Sequence, residues 1–553
     1  MPGSFTVEGW DTYMRQAIEQ ESKAPSQEDW VLGKDPAKLP PQLRESDDLA
    51  LALHMLYFEE YVLNWQRFIG GISYRPLGRD VAEMAVAVQG LGDLETSPLV
   101  ELVDGLTQQT RFNVGWDEES EEEEEGVEGE GGGTDTKKTM KMITKYLKMF
   151  GIKPPKPPKI IKTVSKDVKK SMKGGKGSEQ ATAAAFEILR DTPQVYVDLQ
   201  FEQLHTLSIL PAPEEGEEGA AAQEQSGPPP AMVELLNQFT TVGAALEGLV
   251  DDSGLKARDY AVGIFEQTAI ELPQALAELS ATPALPEAAR KALLEEPMQQ
   301  AWDAVLAATQ MYMNARWTTQ VYDNYRFLIG AGYPFNENGA DVPIEDLAGF
   351  FAPQSGTLWS FVQDELKPLV DIVSWEAYRW QGRGVQVSPQ IVHSLERAKQ
   401  MAHNLFREGT LSVPFRLKPE LPSAQGADGA TLVVAQICLA IDGKEACYKM
   451  GPPQWIDYTW PSSAGVLGAR LEVLTRETSV AEMKFEGPWG WFRLLQEAEI
   501  PTGQPSSLFI LGWTLPWGGG RAQVNYLLQA PSANNPFAAF RDFFAFECPA
   551  SLN

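Results

Sequence analysis

Between Leu49 and Ile72 apolar side chains recur at three- and four-residue steps. Leu53, Leu56, Tyr57, Tyr61, Trp65 and Phe68 mark one buried helix face, with Glu59, Glu60 and Arg67 between them. The same spacing predicts helices from Met1 to about Asn113, from Gln180 to Leu210, and from Ala231 to about Arg407. Pro273, Pro283, Pro286 and Pro297 suit helix boundaries, and Gly409 suits a helix stop. After Gly409 the period changes from 3.6 to 2. Leu411, Val413, Phe415 and Leu417 alternate with other residues, as do Leu467, Ala469, Leu471 and Val473, and then Val524, Tyr526 and Leu528. Strands are predicted at 411–417, 431–441, 444–450, 466–475, 482–486, 507–515, 521–530 and 541–548, with a helical interruption from Trp489 to Ala498. Short strands at this spacing predict an antiparallel β-sandwich.

Two stretches break the helical pattern. Between Asp117 and Asp135 stand eleven acidic residues and no basic one; between Lys137 and Lys176 stand fourteen lysines and the single acid Asp167. Blocks of like charge repel and stay solvated, which predicts an insert without a packed core. Within it, residues 137–150 set Met140, Ile143, Leu147 and Phe150 opposite lysines. A flexible tether and a docking helix both fit that pattern. A Pro-, Glu- and Ala-rich linker follows at 211–230. The plan is α+β multidomain: a helical domain over 1–114, the charged insert 115–178, a helical segment 179–210, the linker 211–230, a helical domain 231–409, and a β-sandwich domain 410–553.

A net charge of −30 speaks against nucleic acid as a main partner, because phosphate binding needs a basic surface. No run of about 18 uninterrupted apolar residues occurs, and the opening MPGSFTVEGW has no secretory pattern. Any export is therefore expected to be directed by sequence outside these residues. No P-loop, no G-x-S-x-G elbow and no H-E-x-x-H pair is present. Cys438, Cys447 and Cys548 fit no metal-ligand spacing, and His54, His205, His393 and His403 stand apart. The expectation is no enzyme, no cofactor and no metal.

Six of the fifteen tryptophans, Trp455, Trp460, Trp489, Trp491, Trp513 and Trp517, fall within residues 455–517. Tryptophan on a β domain fills a core, anchors a protein partner or stacks on sugar rings. Trp455, Trp460, Trp513 and Trp517 are the candidate partner-binding residues. The sugar alternative makes the chain a cell-wall polysaccharide-binding or hydrolysing protein, whose hydrolysis needs two carboxylates facing across a cleft.

Several segments resemble one family, the type VI secretion membrane-complex subunit TssM, related to the IcmF proteins. They are PGSFTVEGW at the start, LALHMLYFEEYVLNW (51–65 within the first aromatic helix), SPLVELVDGLTQQT (97–110), the long stretch 333–371 from Tyr333-Pro334-Phe335 through Phe350-Phe351, GPWGWFRLL (487–495), and the closing NPF (535–537) with FECPASL (546–552). In the long stretch Asp341, Pro343, Glu345 and Asp346 supply a helix start, Leu347, Phe350 and Phe351 an apolar face, and Gly356 a turn. The resemblance implies a structural scaffold: the periplasmic region of an inner-membrane protein in a Gram-negative bacterium. It also implies binding to an outer-membrane lipoprotein, TssJ, through the carboxy-terminal region. The inner-membrane protein TssL and other copies of the chain are the other implied partners. Deleting 410–553 is then expected to abolish lipoprotein binding and leave the helices folded.

That compartment bears on the cysteines. Asp442-Gly443 suits a two-residue type I′ turn. Centring a hairpin there pairs Ile441 with Lys444, Ala440 with Glu445, Leu439 with Ala446 and Cys438 with Cys447. The cysteines then form a non-hydrogen-bonded pair, with Cα atoms about 4.5 Å apart. In an oxidising compartment they are expected to join as a disulfide; in a reducing one they stack as two thiols. Cys548 is left over as a buried thiol.

Overall fold

The change of period near Gly409 divides the fold as the pattern predicts: helices come first, and antiparallel sheets follow. A computed structural model describes residues 1–23, 46–112, 193–209, 229–462, 466–474, 479–500, 506–517, 520–538 and 540–553. The charged insert 115–178, with its amphipathic stretch 137–150, lies outside these residues, as does most of the linker 211–230. The chain forms two compact units. One comprises Met1–Val250 with Ala269–Val305, the other Asp251–Thr268 with Leu306–Asn553.

The first unit is helical. Its aromatic helix, Ser46–Gly70, buries Tyr57, Phe58, Tyr61, Val62, Trp65 and Ile69. The buried face is rotated from the predicted one, since Phe68 is exposed and stands edge-on to Trp65. Polar tips fix the rotation. Trp65 Nε1 donates to the Phe5 carbonyl at 2.9 Å and Tyr61 Oη to that of Gln109 at 2.5 Å. The Ser-Pro-Leu segment is a helix start: the Ser97 hydroxyl accepts from the Leu99 amide, Pro98 takes the first turn, and Leu99 is buried. Helices Val81–Gly92, Val195–His205, Pro230–Gly248 and Glu271–Ala281 complete the packing.

In the second unit, helices Leu255–Phe265, Ile344–Phe351 and Pro389–Leu405 precede twelve strands among the described residues. These are β1 (Phe406–Arg407), β2 (Thr410–Leu411), β3 (Val413–Pro419), β4 (Ser423–Gln425), β5 (Thr431–Leu432), β6 (Gln436–Ile441), β7 (Lys444–Tyr448), β8 (Ile456–Trp460), β9 (Gly468–Leu474), β10 (Ser479–Glu486), β11 (Leu508–Trp517) and β12 (Gly520–Gln529). A small pair joins β1 to β2, a four-stranded sheet runs β10-β9-β6-β7, and a larger sheet runs β5-β4-β12-β3-β8 with β11 on the far side of β12. All of these pairings are antiparallel.

Several stretches depart from the predicted strands, among them two of those predicted and one that was not. Residues 431–441 divide, with β5 in the larger sheet and β6 in the smaller. The stretch 456–460, predicted as a connection, is β8. Residues 541–548 form no strand. Phe540–Phe543 is a helical turn, and the chain then continues through tight turns without regular structure, because Phe540, Phe544 and Phe546 pack on Tyr333, Trp489, Phe351 and Tyr325. The predicted helix at 489–498 is present as Gly490–Gln496. A Cβ on Gly490 would lie 2.6 Å from the Phe485 carbonyl and 2.7 Å from Gly468 Cα, so glycine alone lets the helix press onto β9 and β10.

Candidate functional site

The predicted hairpin sets the register of β6 and β7. Asp442 and Gly443 take φ of 46° and 80°, as a type I′ turn requires. Ile441 pairs with Lys444, Ala440 with Glu445, Leu439 with Ala446, and Cys438 with Cys447. The two cysteine Cα atoms are 4.1 Å apart and their sulfurs 2.08 Å apart. Cys447 lies exposed on the edge strand while Cys438 is buried. Asp442 has a role the turn motif did not reveal. Its buried carboxylate accepts the Gly468 amide at 3.0 Å and the Ser462 amide at 3.3 Å, tying the turn to the chain entering β9. Burial pushes that carboxyl above its ordinary range. Cys548, a free thiol expected to be buried, is half-buried, and desolvation pushes it up to about 12.

The four candidate tryptophans are not brought together at one surface. Trp460 and Trp513 are fully buried, their indole N–H groups donating to the carbonyls of Pro488 and Leu494, both at 2.8 Å. They are core, because the alternation of β8 and β11 turns them inward. Trp517 pairs with Gly520 at the end of β11. Trp455, just before β8, is half-exposed and lies on the larger sheet's outward side, where the Arg416 guanidinium and Lys418 ammonium stand 5.0 and 5.3 Å from its ring centroid.

The later stretches carrying the family resemblance, 333–371, 487–495 and the closing segment, meet inside the second unit. Trp489 Nε1 donates to the Val342 carbonyl at 2.7 Å. Arg493 reaches Asp341 Oδ1 through Nη2 at 2.5 Å and Nε at 3.2 Å, and its guanidinium lies 3.9 Å from the Tyr333 ring centroid. Tyr333 Oη and Gln496 Oε1 are 3.1 Å apart. Asp341 thus spends its carboxylate on Arg493, and Pro343 instead stands at the cap position of helix Ile344–Phe351. Leu347, Phe350 and Phe351 are buried as expected. The closing segment joins the same helices: Trp317 Nε1 donates to the Pro549 carbonyl at 2.7 Å, and Tyr325 Oη to that of Phe546 at 2.7 Å.

Among the described residues no cluster of His, Cys, Asp and Glu is arranged to hold a metal ion, and no helix is long and apolar enough to cross a membrane. His205 hydrogen-bonds Thr110 at 2.9 Å, and burial pushes it down to about 4, so it is neutral at pH 7. Burial lowers His54 as well. The Thr110 hydroxyl beside His205 is buried and donates to the Leu106 carbonyl at 2.8 Å. The geometry supplies folding contacts and a sheet face open to solvent.

Comparison with known proteins agrees with that picture. Three family descriptions match in order: "IcmF-related: Intracellular multiplication and human macrophage-killing" over residues 1–111, "Type VI secretion protein IcmF helical domain" over 308–411, and "Type VI secretion protein IcmF C2-like domain" over 428–532. The type VI secretion system component TssM1 of Pseudomonas aeruginosa is 24% identical over 563 aligned residues, covering 100% of this chain and 44% of that protein. The chain therefore spans less than half the length of that curated relative. A chain from a type VI secretion system membrane core complex shares the fold with a TM-score of 0.62 at 18% identity, covering 100% of this chain and 90% of that one. A second, from a type VI membrane complex, gives 0.57 at 19% identity, covering 93% and 83%. With matched segments spanning more than half of its residues in the predicted order, the chain belongs to the IcmF-related family of type VI secretion proteins.

Proposed function

We propose that this chain is the periplasmic arm of a type VI secretion envelope complex. It acts as a structural scaffold joining an inner-membrane anchor to an outer-membrane lipoprotein, TssJ, with TssL and further copies of itself as the other partners. The observation that carries the reading is the match of this whole chain to 44% of the P. aeruginosa component, together with the shared fold of chains from type VI membrane complexes. The placement of distinctive residues supports a scaffold. Asp341, Arg493, Trp489 and Tyr333 are engaged with one another or with backbone groups. The carboxy-terminal sheets are the part we assign to the lipoprotein, since rigid strands present side chains at fixed positions.

The test is co-purification from the envelope of the source cells with a tag on this chain, after cross-linking in the periplasm. TssJ and TssL are expected in the cross-linked material. Recovery of the chain from the cytoplasm, linked to neither, would overturn the proposal.

A further inference from the structure

Helices Pro98–Thr110 and Val195–His205 pack together in the first unit, and the polar contacts between them run in opposite order along the two. Asp104 Oδ1 accepts the Ser208 hydroxyl at 2.7 Å and the Ile209 amide at 3.0 Å. Thr110 Oγ1 and His205 Nε2 are 2.9 Å apart, and Asp198 Oδ1 accepts the Phe112 amide at 2.8 Å. The pair is thus an antiparallel helical hairpin whose connection, 113–192, lies outside the described residues. Its fastenings set where that span leaves and rejoins the fold. Two of them are ionisable: Asp198 and His205 stand about two turns apart on one helix, with Phe201 and Leu204 buried between them.

The tautomer of His205 follows from its partner. The Thr110 hydroxyl has one proton and gives it to the Leu106 carbonyl, so His205 Nε2 must donate to Thr110. A proton gained by the ring then goes to Nδ1 and makes a cation. Burial opposes that cation, as does Arg111, whose Nη2 donates to the His205 carbonyl at 3.4 Å. Burial also lifts Asp198 up to about 6, against the pull of the Phe112 amide and Arg111. Arg111 and Asp104 face this helix from its partner, and Tyr61 and Glu59 from helix Ser46–Gly70, where Asp11 also acts on Tyr61.

We infer that Asp198 and His205 form a compensated pair, whose opposite responses to acid keep the grip between these two helices nearly constant from pH 7 to pH 5. In an opened hairpin the Asp198 carboxyl returns to 3.8, so the packed form binds its proton more tightly and acid strengthens the grip as pH falls through about 6. The His205 ring returns to 6.5 when opened, so the packed form, held at about 4, binds its proton less tightly and acid weakens the grip below 6.5. The windows coincide. At about pH 5 the packed form holds one proton, on Asp198, and the opened form one, on His205.

Hydrogen exchange of the full 553-residue chain, read on peptides covering Phe201–His205 and corrected for intrinsic rates, measures the opening. Between pH 7 and pH 5, wild-type protection is expected to change by less than about threefold. His205→Gln keeps a donor for Thr110 but leaves Asp198 uncompensated, so protection should rise about tenfold. Asp198→Asn keeps an acceptor for Phe112 but leaves His205 alone, so protection should fall about twentyfold. The double variant should be as flat as wild type. A wild-type change beyond about threefold, or a single variant no steeper than wild type, would overturn the pairing. If a variant loses protection even at pH 7, NMR titration of the wild type decides. With four histidines in the chain, labelled ring signals are few, and the His205 ring should be neutral at pH 5 while the labelled Asp198 carboxyl is protonated. A charged ring or a charged carboxyl at that pH overturns the inference.

Discussion

Four buried tryptophans around the Gly490–Gln496 helix show how a residue's polar tip decides its worth. Trp460, Trp489 and Trp513 each donate an indole N–H to a carbonyl, while the equally buried Trp491 stacks on Phe415 with its N–H unpartnered. An unpaired buried donor costs roughly 1–3 kcal/mol, a cost its neighbours do not carry. Trp513→Phe would strand the Leu494 carbonyl as well as lose ring volume. We therefore predict that Trp491→Phe destabilises less than Trp513→Phe by about 1 kcal/mol or more. Urea midpoints at equal m-value measure this directly, and equal losses for the two would reject it. The sequence shows a tryptophan cluster but not this division, because inward or outward aim depends on register, and β8 was hidden between Pro452-Pro453 and Pro461.

Local chemistry decides how legible each element is. The β6–β7 hairpin can be read residue by residue, since Asp-Gly with flanking alternation specifies both turn and pairing. Helix Pro98–Thr110 is legible from its cap alone. Residues 541–548 mislead because alternating aromatics satisfy a strand pattern while packing on helices instead. The aromatic helix was legible in kind but not in rotation, which the amino-terminal carbonyls set from distant sequence. For the hairpin we predict a disulfide between Cys438 and Cys447 in protein isolated from its own compartment. Closing a loop of about ten residues contributes under roughly 3 kcal/mol, and less where the turn forms by itself. Mass spectrometry of non-reduced peptides should find the linked pair, and reduction should lower the melting temperature. Free thiols at both positions would refute the bond.

At the scale of the molecule, the helices between Leu306 and residue 410 and the sheets after it belong to one compact unit that also takes in Asp251–Thr268. Period and composition mark where helix gives way to strand, but not that Val342, Asp341 and Tyr333 are completed by Trp489 and Arg493 some 150 residues later. Removing 410–553 would also strip Trp317 and Tyr325 of their partners at Pro549 and Phe546. Deletion is therefore a poor test of partner binding here, and point substitutions on the outward sheet face are the cleaner one. The Asp341–Arg493 pair gives a direct measure of the union. Its side chains are 20% and 27% exposed, so solvent screens the interaction less than at an open surface. Arg493 also covers the Tyr333 ring, so its loss removes packing as well as charge. We predict a coupling of about 1–2 kcal/mol between Asp341→Ala and Arg493→Ala in a double-mutant cycle. Each single change should lower stability more than Lys484→Ala, whose ion pair with Glu486 is exposed. Additive losses from the two substitutions would mean that Trp489 and the aromatic contacts, rather than this ion pair, join helices to sheets.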